Sequence, residues 1–141
     1  MKFFIFLFST LILGFSITYA NAQDMTNVTI NSKDVKWVKK ANGVSYCNVW
    51  GDPNNRSYGQ LVKMPKGYNI KTFHHSNNLF LVVHSGKLYV TDENKKEKML
   101  DSGSYFTRKA ETKYALRCDK KSDCILLISQ SGIRDFVFSN N

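Results

Sequence analysis

The sequence predicts an all-β fold: one β-barrel or sandwich. Three observations predict it. After residue 34 the chain is a series of short apolar runs rich in Val, Ile, Leu, Phe and Tyr. These runs end at Gly, Pro, Asn, Asp or Ser and recur roughly every 8–12 residues, the spacing of sandwiches and barrels. No twelve-residue stretch beyond the leader keeps a 3.6-residue apolar period, so nothing calls for an amphipathic helix.

The first element lies outside that fold. Residues 1–22, MKFFIFLFSTLILGFSITYANA, carry Lys2, an apolar run over 3–17, and the small-x-small pattern Ala20-Asn21-Ala22. That order describes a secretory signal peptide. Ser9, Thr10, Gly14, Ser16 and Thr18 dilute the run, and a spanning helix needs about 20 predominantly apolar residues. The expected mature chain is 23–141, one domain, periplasmic or secreted, with no membrane span after cleavage. Its roughly 119 residues suffice to bury a core.

The strands follow in order. Residues 44–50 end at Gly51-Asp52-Pro53-Asn54-Asn55, a loop signal. Runs over 61–64, 70–75 and 79–84 end at Pro65-Lys66-Gly67, Ser76-Asn77-Asn78 and Ser85-Gly86. Ser85-Gly86 leads straight into 88–91, which reads as a tight hairpin. Shorter runs follow at 99–100, 105–107, 114–117, 124–128 and 136–138.

Three cysteines remain: Cys47, Cys118 and Cys124. Export makes a disulfide chemically available. Cys118 and Cys124 flank Asp119-Lys120-Lys121-Ser122-Asp123, a polar stretch between two apolar runs. Read as a hairpin loop, it makes them cross-strand neighbours close enough to bridge. Cys47 is then left over and expected to be buried.

The full chain carries a formal charge of +9. Its lysines come as singles or pairs, often beside acids, as in Asp92-Glu93-Asn94-Lys95-Lys96-Glu97-Lys98. There is no basic tail and no aromatic-basic motif, so solvated lysines are expected and a nucleic-acid partner is not.

All three histidines, His74, His75 and His84, fall within eleven residues. Side chains alternate faces along a strand. If His75 faces the interior, so do Phe73, Leu79, Leu81 and Val83, while His74, Phe80, Val82 and His84 face out. The cluster therefore supplies one interior histidine. No G-x-S-x-G occurs, and the acids stand mostly in turns, so neither a hydrolase triad nor a carboxylate pair is indicated.

The order of signals over about 50–138 resembles the cupin superfamily, above all its small single-domain ChrR-type members. Gly51-Asp52-Pro53 and Lys63-Met64-Pro65-Lys66-Gly67 stand where that pattern has its entry elements. Gly67 and Gly86 are nineteen apart, as the first motif, G-x5-H-x-H-x3-E-x6-G, requires, and Gly103 opens the second, G-x5-P-x4-H. The resemblance implies a double-stranded jelly-roll barrel with a central cavity, and a homodimer. It also implies a divalent metal, but its ligand positions fall on Phe73, His75, Leu79 and Tyr114. One ligand of four is present. A first-row metal wants three or four N, O or S donors, so no cofactor is expected.

The reading that results is an exported cupin-like barrel that binds an unidentified, partly apolar small molecule without catalysis. The expected cavity lining is Phe73, His75, Leu79, Leu81, Phe106 and Tyr114, with His75 hydrogen-bonded to Tyr114 or water. Two other readings compete: a metal-dependent oxygenase or isomerase with a rebuilt ligand set, and a cationic protein acting on envelope polymers or a partner.

Overall fold

A computed structural model describes residues 27–139. The expected signal peptide lies outside the described residues. Among them are one short 3-10 turn, Ser32–Asp34, and eleven strands. The strands are β1 Val38–Lys39, β2 Ser45–Gly51, β3 Tyr58–Met64, β4 Asn69–His74, β5 Leu79–Ser85, β6 Leu88–Asp92, β7 Glu97–Leu100, β8 Tyr105–Arg108, β9 Tyr114–Cys118, β10 Cys124–Gln130 and β11 Val137–Phe138.

They form two antiparallel sheets that face one another. One has six strands in the order β1-β2-β3-β10-β5-β8, the other five in the order β11-β4-β9-β6-β7. Apart from the β6–β7 hairpin, the chain changes sheet at every step from β3 to β11. This is the jelly-roll pattern of a cupin-type barrel.

The period-2 alternation decides what is inside. In β5, Leu79, Leu81 and Val83 are buried while Phe80 and His84 are exposed. Phe73, Leu88, Val90, Leu116 and Leu126 come inward from the other strands. Each fully buried side chain of this size contributes about 1.5–3 kcal/mol. The opposite parity produces an apolar row on the outer face of the larger sheet. Cys47, Leu61, Leu127, Val82 and Tyr105 are successive cross-strand partners along it. Cys47 therefore sits half-buried on the outside, not in the core. The expectation of burial fails because its strand position has outward parity.

Two expected hairpins are corners between sheets. Ser85-Gly86 joins β5 to β6, which lie in different sheets. Gly86 makes that corner with φ +85°, its Cα so close to the Asp123 carbonyl that a Cβ would overlap the oxygen. The 118–124 loop likewise connects β9 of one sheet to β10 of the other. Cys118 pairs across its sheet with Leu88, and Cys124 with Met64. The two cysteines are not cross-strand partners, yet they are disulfide-bonded, with Cα atoms 5.8 Å apart. The bridge ties the two sheets together at one end of the barrel.

Candidate functional site: an apolar cavity with two unpaired polar atoms

Between the sheets lies a cavity of about 400 Å³. Its wall is largely hydrocarbon, including Leu79, Leu81, Leu116, Leu126 and Ile128. Lys40, Asn42, Phe136 and Phe138 also line it and are exposed, so they mark its opening. A cavity of roughly 150 Å³ already admits benzene, and small-molecule sites run from about 300 Å³ upward.

Phe73, His75, Leu79, Leu81 and Tyr114 all border this space. Phe106 does not; it stands one layer behind, packed edge-on against Tyr114 with ring centres 5.9 Å apart. Its strand, β8, is the edge strand of the larger sheet. The Arg108 guanidinium lies 4.8 Å from the Phe106 ring centre and 5.5 Å from that of Tyr114.

The histidines divide by parity. His75 is 6 % exposed. His74 points the other way, its Nε2 2.9 Å from the Glu111 carboxylate, and His84 is exposed. His75 Nδ1 lies 2.5 Å from the backbone oxygen of Asp135. A carbonyl only accepts, so Nδ1 carries the proton and Nε2 is an acceptor. Burial pushes the His75 pKa down, outweighing the hydrogen bond and charge of Asp135, which push it up. The ring is therefore neutral near pH 7, and its Nε2 has no hydrogen-bond partner among the described residues.

Tyr114 does not bond to His75, although their ring centres are 6.1 Å apart. Its hydroxyl is fully buried with no partner among the described residues. Burial raises the phenol's pKa, opposed by the Arg108 charge, so it stays protonated. An unsatisfied buried hydroxyl costs about 1–3 kcal/mol.

The segment after β10 closes over one side of this site and carries no local sequence motif. The Asp135 carboxylate accepts from the Ser76 backbone N–H at 3.0 Å and from Gln130 Nε2 at 3.3 Å. Burial works to raise the Asp135 pKa, but its hydrogen bonds with Ser76 outweigh that and hold it below the usual range. Phe136 packs on His75 and Phe73, with ring centres 5.0 and 5.3 Å away. Arg134 lies over the Tyr46 ring and donates to Gln60 Oε1 at 3.3 Å. The other buried polar groups of the wall are paired: Tyr58 donates to Gln130 Oε1 at 2.7 Å, and Gln60 Nε2 to Asn48 Oδ1.

A metal fits this donor set poorly. Of the four positions where cupins place ligands, Phe73 and Leu79 offer only carbon and Tyr114 a protonated phenol. His75 Nε2 alone could ligate. Among the described residues no group of three or more His, Cys, Asp or Glu converges.

The two facing sheets and the cavity between them define a small cupin-type barrel. Over residues 19–134 the chain matches the family model DUF4437, a domain of unknown function, and it belongs to that family. No curated protein matches it in sequence. Among solved structures it is similar to an RmlC-like cupin from Shewanella frigidimarina, at 14% identity and TM-score 0.64, over 78% of this chain and 95% of that one. It is similar to KdgF from Halomonas sp., at 17% identity and TM-score 0.63, over 78% and 97% of the two chains. It is also similar to the polyketide cyclase RemF from Streptomyces resistomycificus, at 10% identity and TM-score 0.65, over 82% and 89%. At these identities the likeness is one of fold.

Proposed function

We infer that the protein is an exported, non-catalytic carrier or sensor domain that buries a partly apolar small molecule in its barrel. One observation carries this: an apolar cavity of about 400 Å³ lined by Tyr114, whose buried hydroxyl has no partner among the described residues, and by His75, whose Nε2 is a free acceptor. A cavity kept only for packing would not leave the buried Tyr114 hydroxyl unpaired, since that costs stability. The absence of a convergent donor set among the described residues argues for binding over metal chemistry. The Cys118–Cys124 disulfide supports export, because such bonds persist in oxidising compartments.

Saturation-transfer NMR of a neutral fragment mixture tests the reading. Ile128, half-buried on the cavity wall, is replaced by tryptophan to fill the space. Fragments that bind the mature wild type and not Ile128→Trp support the proposal. No binding, or binding that Ile128→Trp leaves intact while its spectrum shows a folded protein, rejects it.

A further inference from the structure

We propose that the ligand presents a neutral hydroxyl group, a phenol or alcohol on an apolar body, to the pair formed by His75 Nε2 and the Tyr114 hydroxyl. This rests on the small-molecule reading above and narrows it to a chemical class.

The Nδ1 contact with the Asp135 carbonyl leaves His75 Nε2 a bare acceptor, which asks for a donor. The Tyr114 hydroxyl, partnerless among the described residues, can give a proton. A hydroxyl does both at once: it donates to Nε2 and accepts from Tyr114. Both side chains line the cavity, with ring centres 6.1 Å apart. A ketone or ether leaves Nε2 unmet. A carboxylate sets its charge against the Nε2 lone pair and near the Asp135 carboxylate, which is 3.5 Å from His75 Nδ1. The remainder of the ligand meets the hydrocarbon wall at Leu79, Leu116 and Ile128, which offer no hydrogen bond. Tyr58 and Gln60, the other buried polar groups named above, already have partners within the protein.

Titration calorimetry with three near-isosteric probes, 2-naphthol, 2-methylnaphthalene and 2-naphthoate, tests the assignment on the mature wild type and on Tyr114→Phe. Each net hydrogen bond is worth roughly 2- to 10-fold in affinity. The expected result is about a tenfold preference for 2-naphthol over 2-methylnaphthalene, with 2-naphthoate weakest. Tyr114→Phe should cut the preference to about threefold. Equal binding of the first two probes overturns the hydroxyl assignment and leaves the cavity reading standing. So does a preference that Tyr114→Phe does not alter. Strongest binding of 2-naphthoate transfers recognition to Arg134 and also overturns it. If no probe binds wild type, the small-molecule reading fails and the inference with it.

Discussion

His75 is held to Asp135 through its inner-ring nitrogen: Nδ1 donates to the Asp135 backbone oxygen at 2.5 Å. That one contact sets the tautomer, anchors the segment that crosses the cavity, and leaves Nε2 available to a ligand.

Its first consequence is spectroscopic. In ¹⁵N NMR, His75 should appear as the Nδ1–H tautomer at neutral pH and titrate below its ordinary value of 6.5. A shift pattern typical of the Nε2–H form would contradict the geometry.

The second consequence is thermodynamic. Burial lowers the His75 pKa in the folded state, so between that value and 6.5 the unfolded chain binds more protons. Stability therefore rises with pH across this window. The contribution is complete above about pH 7, erodes on acidification through 6.5, and levels off below the folded pKa. Asp135, held low, adds stability above its ordinary 3.8 that is lost as pH falls through its folded value. Urea unfolding at stepped pH should show the upper slope in wild type and lose it in His75→Phe.

The corner glycines separate strain from crowding. Gly86 and Gly103 have the same left-handed backbone, φ +85° and +86°. A Cβ at Gly103 meets nothing within 4 Å, whereas at Gly86 it would overlap the Asp123 carbonyl and come within 3.0 Å of the Cys124 Cα. Gly103→Ala should cost about 1–2 kcal/mol, the left-handed penalty alone. Gly86→Ala should cost clearly more, because backbone must move. Equal losses of melting temperature would refute the account of the Gly86 corner.

The disulfide closes a short loop, so its loss should cost about 2 kcal/mol by loop entropy. It also ties the two sheets at one end of the barrel. Cys118→Ser with Cys124→Ser should therefore speed hydrogen exchange in both β9 and β10. Exchange that rises in the loop alone would mean the bridge does not join the sheets mechanically.

Phe73 stands where a cupin would place a ligand, and it is the hub of the aromatic cluster. It touches His75, Tyr114, Phe136 and Phe138 at ring-centre distances of 5.3, 4.5, 5.3 and 6.2 Å. Phe73→Ala should cost about 3–5 kcal/mol. Phe73→Leu, which keeps most of the volume, should cost less and isolate the ring contacts. Chemical denaturation of both variants measures this.

Much of this was legible in the chain. Parity alone separates His75 from His74 and His84, because a strand cannot turn adjacent side chains to one face. The strand runs were readable because their turns carry Gly, Pro and Asn. What was not readable is the sheet each strand enters after a turn. Ser85-Gly86 has the composition of a hairpin, but sheet membership depends on partners far along the chain, such as β10 beside both β3 and β5. The disulfide was foreseen on the same mistaken hairpin; short loop length brings the cysteines together whether or not they share a sheet. Arg134, Asp135 and Phe136 carry no local motif. Their role comes from the path between β10 and β11, which brings residues 60 positions away onto His75.

Intermolecular NOEs show whether the barrel interior is a binding site. Methyl-labelled mature protein is mixed with 2-methylnaphthalene, and cross-relaxation is read at each methyl group. The account predicts NOEs from the ring protons to Leu81, Leu116, Leu126 and Ile128, all on the cavity wall. NOEs confined to Leu61, Val82 and Leu127, the outer row of the six-stranded sheet, or none at all, would contradict it.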